Sequence, residues 1–463
     1  MRIVLSSEAT VQDPTDEVIA FCLENFTMKN PEFQNKMRRG LYLGNTPEYL
    51  DLYKKRGDHL ILPYGAYHAL KNFLWREDLW DADDLDYDYD LAGNERVDYN
   101  AEIPLYDYQE TAVSVMLQKG YGILHSPAGS GKTQMGIAMI TRSGRKALWL
   151  THTKDLLQQS YNRAAQYVDT SLLGTIAGGK VHIGSGITFA TVQTLANMDL
   201  SQFKYEWDMI IVDECHRAAG TPTAYSRFSK VLNSLAASEK YGLSATVHRA
   251  DGTIKATYSL LGGIGHSVPE EATAGKVEQV RILKRDTGIK IHSSCQDTDG
   301  TLLYAKLLQY LTENRTRNKV IVTDLVQNAE HYNLILSDRI NHLRELYNSL
   351  PHELQQQAVI LTGSTKASAR EQAMEEMRSG RKRYLFASYS LAKEGLDIPR
   401  LDRLYLVTPQ KDYAIIVQAV GRIARHFDGK AEPVVYDYVD DITFCQNQYK
   451  KRCTSYRKIH CIL

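Results

Sequence analysis

Eight consecutive residues, Ser126-Pro127-Ala128-Gly129-Ser130-Gly131-Lys132-Thr133, put two glycines, a lysine and a hydroxyl where a phosphate-binding loop needs them. Further along, the apolar run Ile210-Ile211-Val212 leads into Asp213-Glu214-Cys215-His216, a strand ending in two carboxylates. Together these stretches predict a magnesium-dependent ATP-hydrolysing site. In it Lys132 would hold the β and γ phosphates, while Thr133 and Asp213 would ligate Mg²⁺, Asp213 through water. Glu214 would orient and deprotonate the attacking water, a task that takes a carboxylate within reach of the γ-phosphate.

Such groups must be positioned by particular elements. Tyr121 to Leu124 is apolar and short enough for a buried strand, and Thr133 onward reads as a helix through Met135, Ile137, Ala138 and Ile140. The loop between them then stands at a helix N-terminus, where unpaired N–H groups and the positive end of the dipole attract phosphate. Gly129, Ser130 and Gly131 would form the cradle, the glycines letting the backbone wrap closely round the anion. Ser126 stands where such loops usually begin with glycine. Asp213 and Glu214 would sit at the carboxyl end of a sheet, the edge at which open α/β folds bind ligands.

More motifs follow in a fixed order. Leu105-Tyr106-Asp107-Tyr108-Gln109 lies upstream of the loop; Thr151-His152-Thr153-Lys154-Asp155-Leu156, Thr191-Val192-Gln193-Thr194-Leu195 and Leu243-Ser244-Ala245-Thr246 lie downstream. The second half adds Gly395-Leu396-Asp397-Ile398-Pro399 and Gln418-Ala419-Val420-Gly421-Arg422-Ile423-Ala424-Arg425. This series resembles that of superfamily 2 helicases and translocases over most of residues 101–440. The resemblance implies that Gln109 takes the adenine edge, that Gly395 and Asp397 line the nucleotide site, and that Thr151 and Thr191 touch the nucleic-acid backbone. It assigns Ser244 and Thr246 to coupling hydrolysis to strand movement. Gln418, Arg422 and Arg425 are spaced i, i+4 and i+7, one face of a helix, and match the family's arginine fingers, whose guanidinium groups neutralise charge on the transferred phosphoryl group.

The phosphate loop has no counterpart in the second half, where Lys319-Val320-Ile321-Val322-Thr323 reads as a first strand and Ala358-Val359-Ile360-Leu361-Thr362-Gly363 as another. The fold class expected is therefore α/β: two tandem RecA-like lobes, parallel sheets with flanking helices, plus a small N-terminal α+β module. ATP would close a cleft between the lobes and hydrolysis would release it. Asp213-Glu214-Cys215-His216 departs from the Asp-Glu-Ala-Asp form typical of many RNA helicases. His248-Arg249-Ala250-Asp251-Gly252 is similar to the Arg-Glu-Asp element of XPB-type repair helicases, with Ala250 in place of the glutamate, and would put Arg249 on DNA; a plain exposed turn is the alternative. Restriction-type and phage branch-migration helicases resemble the same branch, so duplex or branched DNA is expected in preference to RNA. A nucleic-acid-gated ATPase that remodels a partner complex, and an RNA helicase, are the alternative functions.

The expected organisation is an accessory module over residues 1–78, an acidic linker over 79–100, lobes over 101–268 and 269–440, and a basic tail over 441–463. With 55 basic and 55 acidic residues among 463, the chain is not a globally basic nucleic-acid binder, so any grip on DNA must be local. Lys36, Arg38, Arg39, Lys54, Lys55 and Arg56 interleave with Tyr42, Tyr49 and Tyr53, which suits either DNA contact or a solvated face. Lys450, Lys451, Arg452, Arg457 and Lys458 would serve DNA or a protein partner, or pair with the acidic linker. Cys445, Cys453 and Cys461 lack a paired C-x-x-C knuckle, so reduced thiols on a terminal helix are expected ahead of a zinc site. No apolar run approaches the roughly 20 residues of a membrane span, and the start lacks a long apolar signal segment, so a cytoplasmic protein is expected.

Overall fold

The computed structural model describes residues 1–79, 85–127, 129–219, 222–246, 253–273, 278–393 and 396–463. Arg249 with the rest of 248–252, Gly395, and residues 81–84 of the acidic stretch lie outside the described residues. The chain forms two compact units, one running from Met1 to Pro127 and from Gly131 to Ala272, the other from Thr273 to Leu463, to which the loop residues Gly129 and Ser130 are also assigned.

In the first unit eight strands form one sheet, in the order Lys180–His182, Leu173–Ala177, Ile187–Thr191, Ala147–Thr151, Met209–Asp213, Glu239–Ser244, Tyr121–His125 and Ile264–Ser267. All pairings are parallel except that of the edge strand Lys180–His182. Ala147–Thr151 and Met209–Asp213 are buried at every position, as a parallel sheet covered on both faces demands. Successive side chains feed opposite cores. Trp149, Ile211 and Leu243 pack on one face, Leu148, Leu150 and Val212 on the other.

The N-terminal residues build a second sheet of five strands, in the order Lys54–Arg56, His59–Leu62, Ala9–Gln12, Arg2–Leu5 and Asp86–Tyr89. Asp86–Tyr89 comes from the stretch read as a linker, yet it pairs parallel to Arg2–Leu5. Asp90 then accepts hydrogen bonds from Lys204 (2.7 Å), Tyr205 (2.8 Å) and Ser6 (2.9 Å). The bond from Lys204 above all pulls its carboxyl down to about 2. The charge of Asp90 is thus spent within the first unit.

Nor do residues 1–78 stand apart. The helix Tyr64–Arg76 lies so close to the helix Ile254–Leu261 that a Cβ at Gly65 would collide with the backbone of Tyr258, Leu261 and Gly262. Tyr64 donates to Ser238 O (2.8 Å), and the His68 ring stacks on Tyr121 at 3.7 Å. Lys240, fully buried in the strand Glu239–Ser244, donates to Ser7 O (3.1 Å) and Leu232 O (2.7 Å). Burial lowers its ammonium to about 7. These are single contacts scattered over the sequence, with no motif to announce them.

The second unit holds a six-stranded, wholly parallel sheet in the order Arg281–Lys290, Val434–Asp441, Arg403–Leu406, Asn333–Ser337, Tyr384–Ser388 and Ala358–Leu361. Lys319–Thr323 is not a strand. It lies inside the helix Arg315–Gln327, capped by the Asn314 side chain, which accepts from Arg317 N at 3.0 Å. The buried set Arg317, Asn318, Ile321, Asp324 and Leu325 follows the helical period, and three of its five members are polar, which hides the stripe behind the β-branched run.

The basic tail is also a packed element. Thr443–Lys458 is a helix held to the sheet by Arg452, which is 2% exposed and donates to both oxygens of Asp437 at 2.8 and 2.6 Å. Arg452 is therefore withdrawn from any role on DNA. Cys445 and Cys453 lie on this helix, and Cys461 follows it; all are free thiols. Among the described residues no three His, Cys, Asp or Glu side chains are grouped to hold a metal.

Candidate nucleotide-hydrolysing site

The strand Tyr121–His125 and the helix Lys132–Ser143 flank the glycine-rich loop as the sequence implies. Gly129 and Gly131 have φ of +83° and +81°, the left-handed region that glycine enters without a steric penalty. Gly131 is the N-cap of the helix, and a Cβ there would strike the Gln109 side-chain amide. Gln109 itself is buried and accepts from Tyr106 N at 2.9 Å, so the proposed adenine reader is fixed beside the loop. Ser130 is buried and Thr133 half-buried. Lys132 folds its ammonium back over the loop, donating to Ser126 O (3.2 Å) and Pro127 O (3.1 Å).

At the end of the strand Met209–Asp213 the backbone turns sharply. Glu214 has φ of +50°, a strained conformation for a non-glycine residue, held by the bond from Glu214 N to Asp213 Oδ1 (3.0 Å). His216 Nδ1 lies 3.3 Å from Glu214 Oε2 and 2.9 Å from Ser244 Oγ. Ser244 Oγ in turn donates to Thr246 O (2.8 Å) and accepts from Thr246 N (3.0 Å). The two residues assigned to coupling are thus joined through one histidine to the carboxylate assigned to hydrolysis. Neither composition nor spacing singled out His216 for this role; its position two residues after Glu214 is the only signal.

Electrostatics divides the two carboxyls. Burial, with Glu214 alongside, raises Asp213 above the ordinary carboxylate range against the pull of Lys132. Burial would also raise Glu214, but the His216 ring, Lys132 and Arg217 together hold it below that range. Glu214 is thereby kept in the ionised form that can accept a proton, while the same lowering weakens it as a base. Glu214 Oε2 is buried and faces His216 Nδ1 at 3.3 Å as an ion-pair contact without a regular hydrogen bond between them. The donor set of one carboxylate and one hydroxyl, Asp213 and Thr133, is hard oxygen chemistry that fits Mg²⁺.

The threonines assigned to nucleic acid are placed differently. Thr151 ends the strand Ala147–Thr151, is fully buried, and donates to Thr153 O at 3.0 Å. Thr191 is 4% exposed, and its hydroxyl accepts from Thr194 N (3.3 Å) while bonding Thr194 Oγ1 (2.7 Å). Both hydroxyls are committed to the turns that start the next helix. Lys154 and Gln193, at the same turns, are the exposed side chains.

In the second unit Gln418 and Arg422 share the helix Tyr413–Ile423, but that helix ends before Arg425. The three residues therefore do not share one helical face as their spacing predicts. Arg422 donates to Ala392 O (3.0 Å) and Leu396 O (3.3 Å), and Arg425 forms an ion pair with Asp397. Gln418 is buried, its Oε1 without a hydrogen-bond partner among the described residues.

Comparison with known proteins adds two domain matches. Residues 102–249 match the model of the type III restriction enzyme res subunit, and residues 304–427 match the helicase conserved C-terminal domain. A protein of Acanthamoeba polyphaga mimivirus, whose name describes an ATP-dependent RNA helicase, is 26% identical over 399 residues, covering 80% of this chain and 73% of the relative. The DNA 3'-5' translocase XPB2 of Sulfurisphaera tokodaii is 26% identical over 365 residues, covering 71% of this chain and 80% of the relative. Among solved structures, S. cerevisiae Dbp5 bound to RNA and ADP BeF3 shares the fold with a TM-score of 0.55 at 16% identity, covering 78% of this chain and 88% of that one.

Proposed function

Because the chain belongs to the superfamily 2 helicases, with two-lobe RecA-like architecture, we propose that it is an ATP-dependent DNA helicase or duplex translocase. The observation that carries this reading is the continuous link from Glu214 through His216 and Ser244 to Thr246. It ties the group that acts on water to the strand end from which movement is transmitted.

Phosphates are held by Lys132 and by the amides of Gly129, Ser130 and Gly131, with Gln109 on the base. Thr133 and, through water, Asp213 would hold Mg²⁺, which supplies neutralising charge for the phosphates when bound. Glu214 takes the proton of the attacking water. Arg422 and Arg425, with Gln418, stabilise charge on the transferred phosphoryl group, and Asp397 holds Arg425 until it is used. Lys154 and Gln193, exposed at the turns that carry Thr151 and Thr191, add side-chain contacts to the nucleic-acid backbone there.

Similarity to an archaeal DNA translocase and the Asp-Glu-Cys-His form favour DNA; the mimivirus relative keeps RNA as the second reading. ATPase and strand-displacement assays on matched DNA and RNA duplexes decide between them. Stimulation of ATP turnover by duplex or branched DNA above that by any RNA supports the proposal. RNA stimulation above that of every DNA form overturns it.

A further inference from the structure

Lys430 belongs to no motif, and it sits in a turn after Gly429. Its ammonium nonetheless donates to three carbonyls, Ile423 O (2.6 Å), Arg425 O (2.5 Å) and Pro399 O (3.2 Å). An ammonium has three N–H donors, so each is committed. Two of the acceptors lie at the end of the arginine-bearing segment: Ile423 closes the helix Tyr413–Ile423, and Arg425 follows it. The third, Pro399, ends the segment that carries Asp397, the partner of Arg425.

A cation at a helix C-terminus meets unpaired carbonyls and the negative end of the dipole, so this clamp is favourable in itself. It also does what the helix cannot. Arg425 lies beyond the last helical residue, and Lys430 bonds its carbonyl directly, in the place an N–H from the next turn would take if the helix went on. We propose that Lys430 is a positioning residue for Arg425, fixing the finger segment to the Asp397 segment within the second unit.

The ammonium is partly withdrawn from water, and burial lowers it to about 8, against the attraction of Asp402 and Glu278 and with help from the repulsion of Arg425. Asp402 is itself engaged by His331 (3.0 Å) and Tyr332 N (3.0 Å), and Glu278 by His426 (2.6 Å). Above that pH the amine would turn a lone pair toward one of the carbonyls, loosening the clamp.

The inference rests on the ATPase reading, so Glu214→Gln is measured alongside. If that variant keeps full turnover, the ATPase reading fails first. Otherwise, Lys430→Met in the full chain is expected to lower kcat about 10-fold to 100-fold with KM for ATP changed less than about 3-fold, since misplacement by an ångström carries a cost of that order. In the Arg425→Ala background the same change should cost nothing further. The unmodified protein is expected to lose kcat above about pH 8, and Lys430→Arg, charged at every working pH, should keep most of the activity and not show that fall. If Lys430→Met fails to fold, Lys430→Gln, which keeps one amide donor, carries the same comparison. Unchanged kcat in the neutral variant, or a full additional loss on top of Arg425→Ala, overturns the proposal.

Discussion

In the first unit the groups assigned to hydrolysis are held by one another: Glu214 by the turn from Asp213, His216 between Glu214 and Ser244, Ser244 by both polar groups of the Thr246 backbone. In the second unit the arginines are held by their surroundings, Arg422 by the carbonyls of Ala392 and Leu396 and Arg425 by Asp397. The first arrangement is a chain in which moving one member moves the next. In the second, Arg422 and Arg425 rest on different groups, backbone carbonyls for one and a carboxylate for the other. A relay needs the former, whereas a charge that must be delivered once per cycle needs only a place to rest, and the difference therefore separates coupling from delivery.

The largest effect should come from the centre of the first arrangement. Lys132→Ala and Glu214→Gln are expected to abolish ATP turnover, with Glu214→Gln still binding nucleotide, because Lys132 holds phosphate and Glu214 acts on water. A filter-binding or fluorescence titration beside an ATPase assay checks the split. Next comes delivery: Arg425→Ala should lower kcat about 10³-fold with nucleotide affinity changed far less, and Arg422→Ala by a smaller factor. Equal loss of affinity and kcat would show that these arginines bind the ground state.

Ser244→Ala should cost about 10-fold, and it should do so mainly in the nucleic-acid-stimulated rate, because it cuts the relay without touching phosphate or water. An equal fall in basal and stimulated rates would reduce the relay to a structural network. The smallest effect on turnover is expected from Lys240→Met, whose readout is stability. With its pKa near 7 in the fold and about 10.4 unfolded, the unfolded chain binds the extra proton between those values, so stability rises with pH there. The slope from this one group approaches about 1.4 kcal/mol per pH unit, and urea unfolding at pH 7, 8 and 9 should show the variant without it.

Much of the candidate site's layout was legible because the chemistry proposed for it forces adjacency. A loop that wraps phosphate needs Gly129 and Gly131 beside Lys132, and a strand must deliver Asp213 and Glu214 together. What depends on three-dimensional neighbours was not legible. The Thr151 hydroxyl donates to Thr153 O and that of Thr191 caps the helix Val192–Ala196, bonds that no motif spells out. Arg425 continues a helical spacing past the point where the helix stops. Val320-Ile321-Val322 looks like a strand because the residues that give the helix its buried face include Arg317, Asn318 and Asp324, which pattern analysis counts as surface. The embedding of the N-terminal residues rests on Gly65 and Lys240, types that no sequence rule reads as buried partners.

That embedding bears on how the protein is made. The bond from Lys240 to Ser7 joins residues 233 apart in the chain. At roughly 5–20 residues per second of synthesis, the N-terminal sheet waits on the order of 10–50 s for the strand that will take its carbonyl. The face of Tyr64–Arg76 around Gly65 waits longer still, until Ile254–Leu261 has emerged. Early folding on the ribosome therefore yields a sheet with its docking side uncovered, and the first unit can reach its final packing only after more than half the chain has been translated.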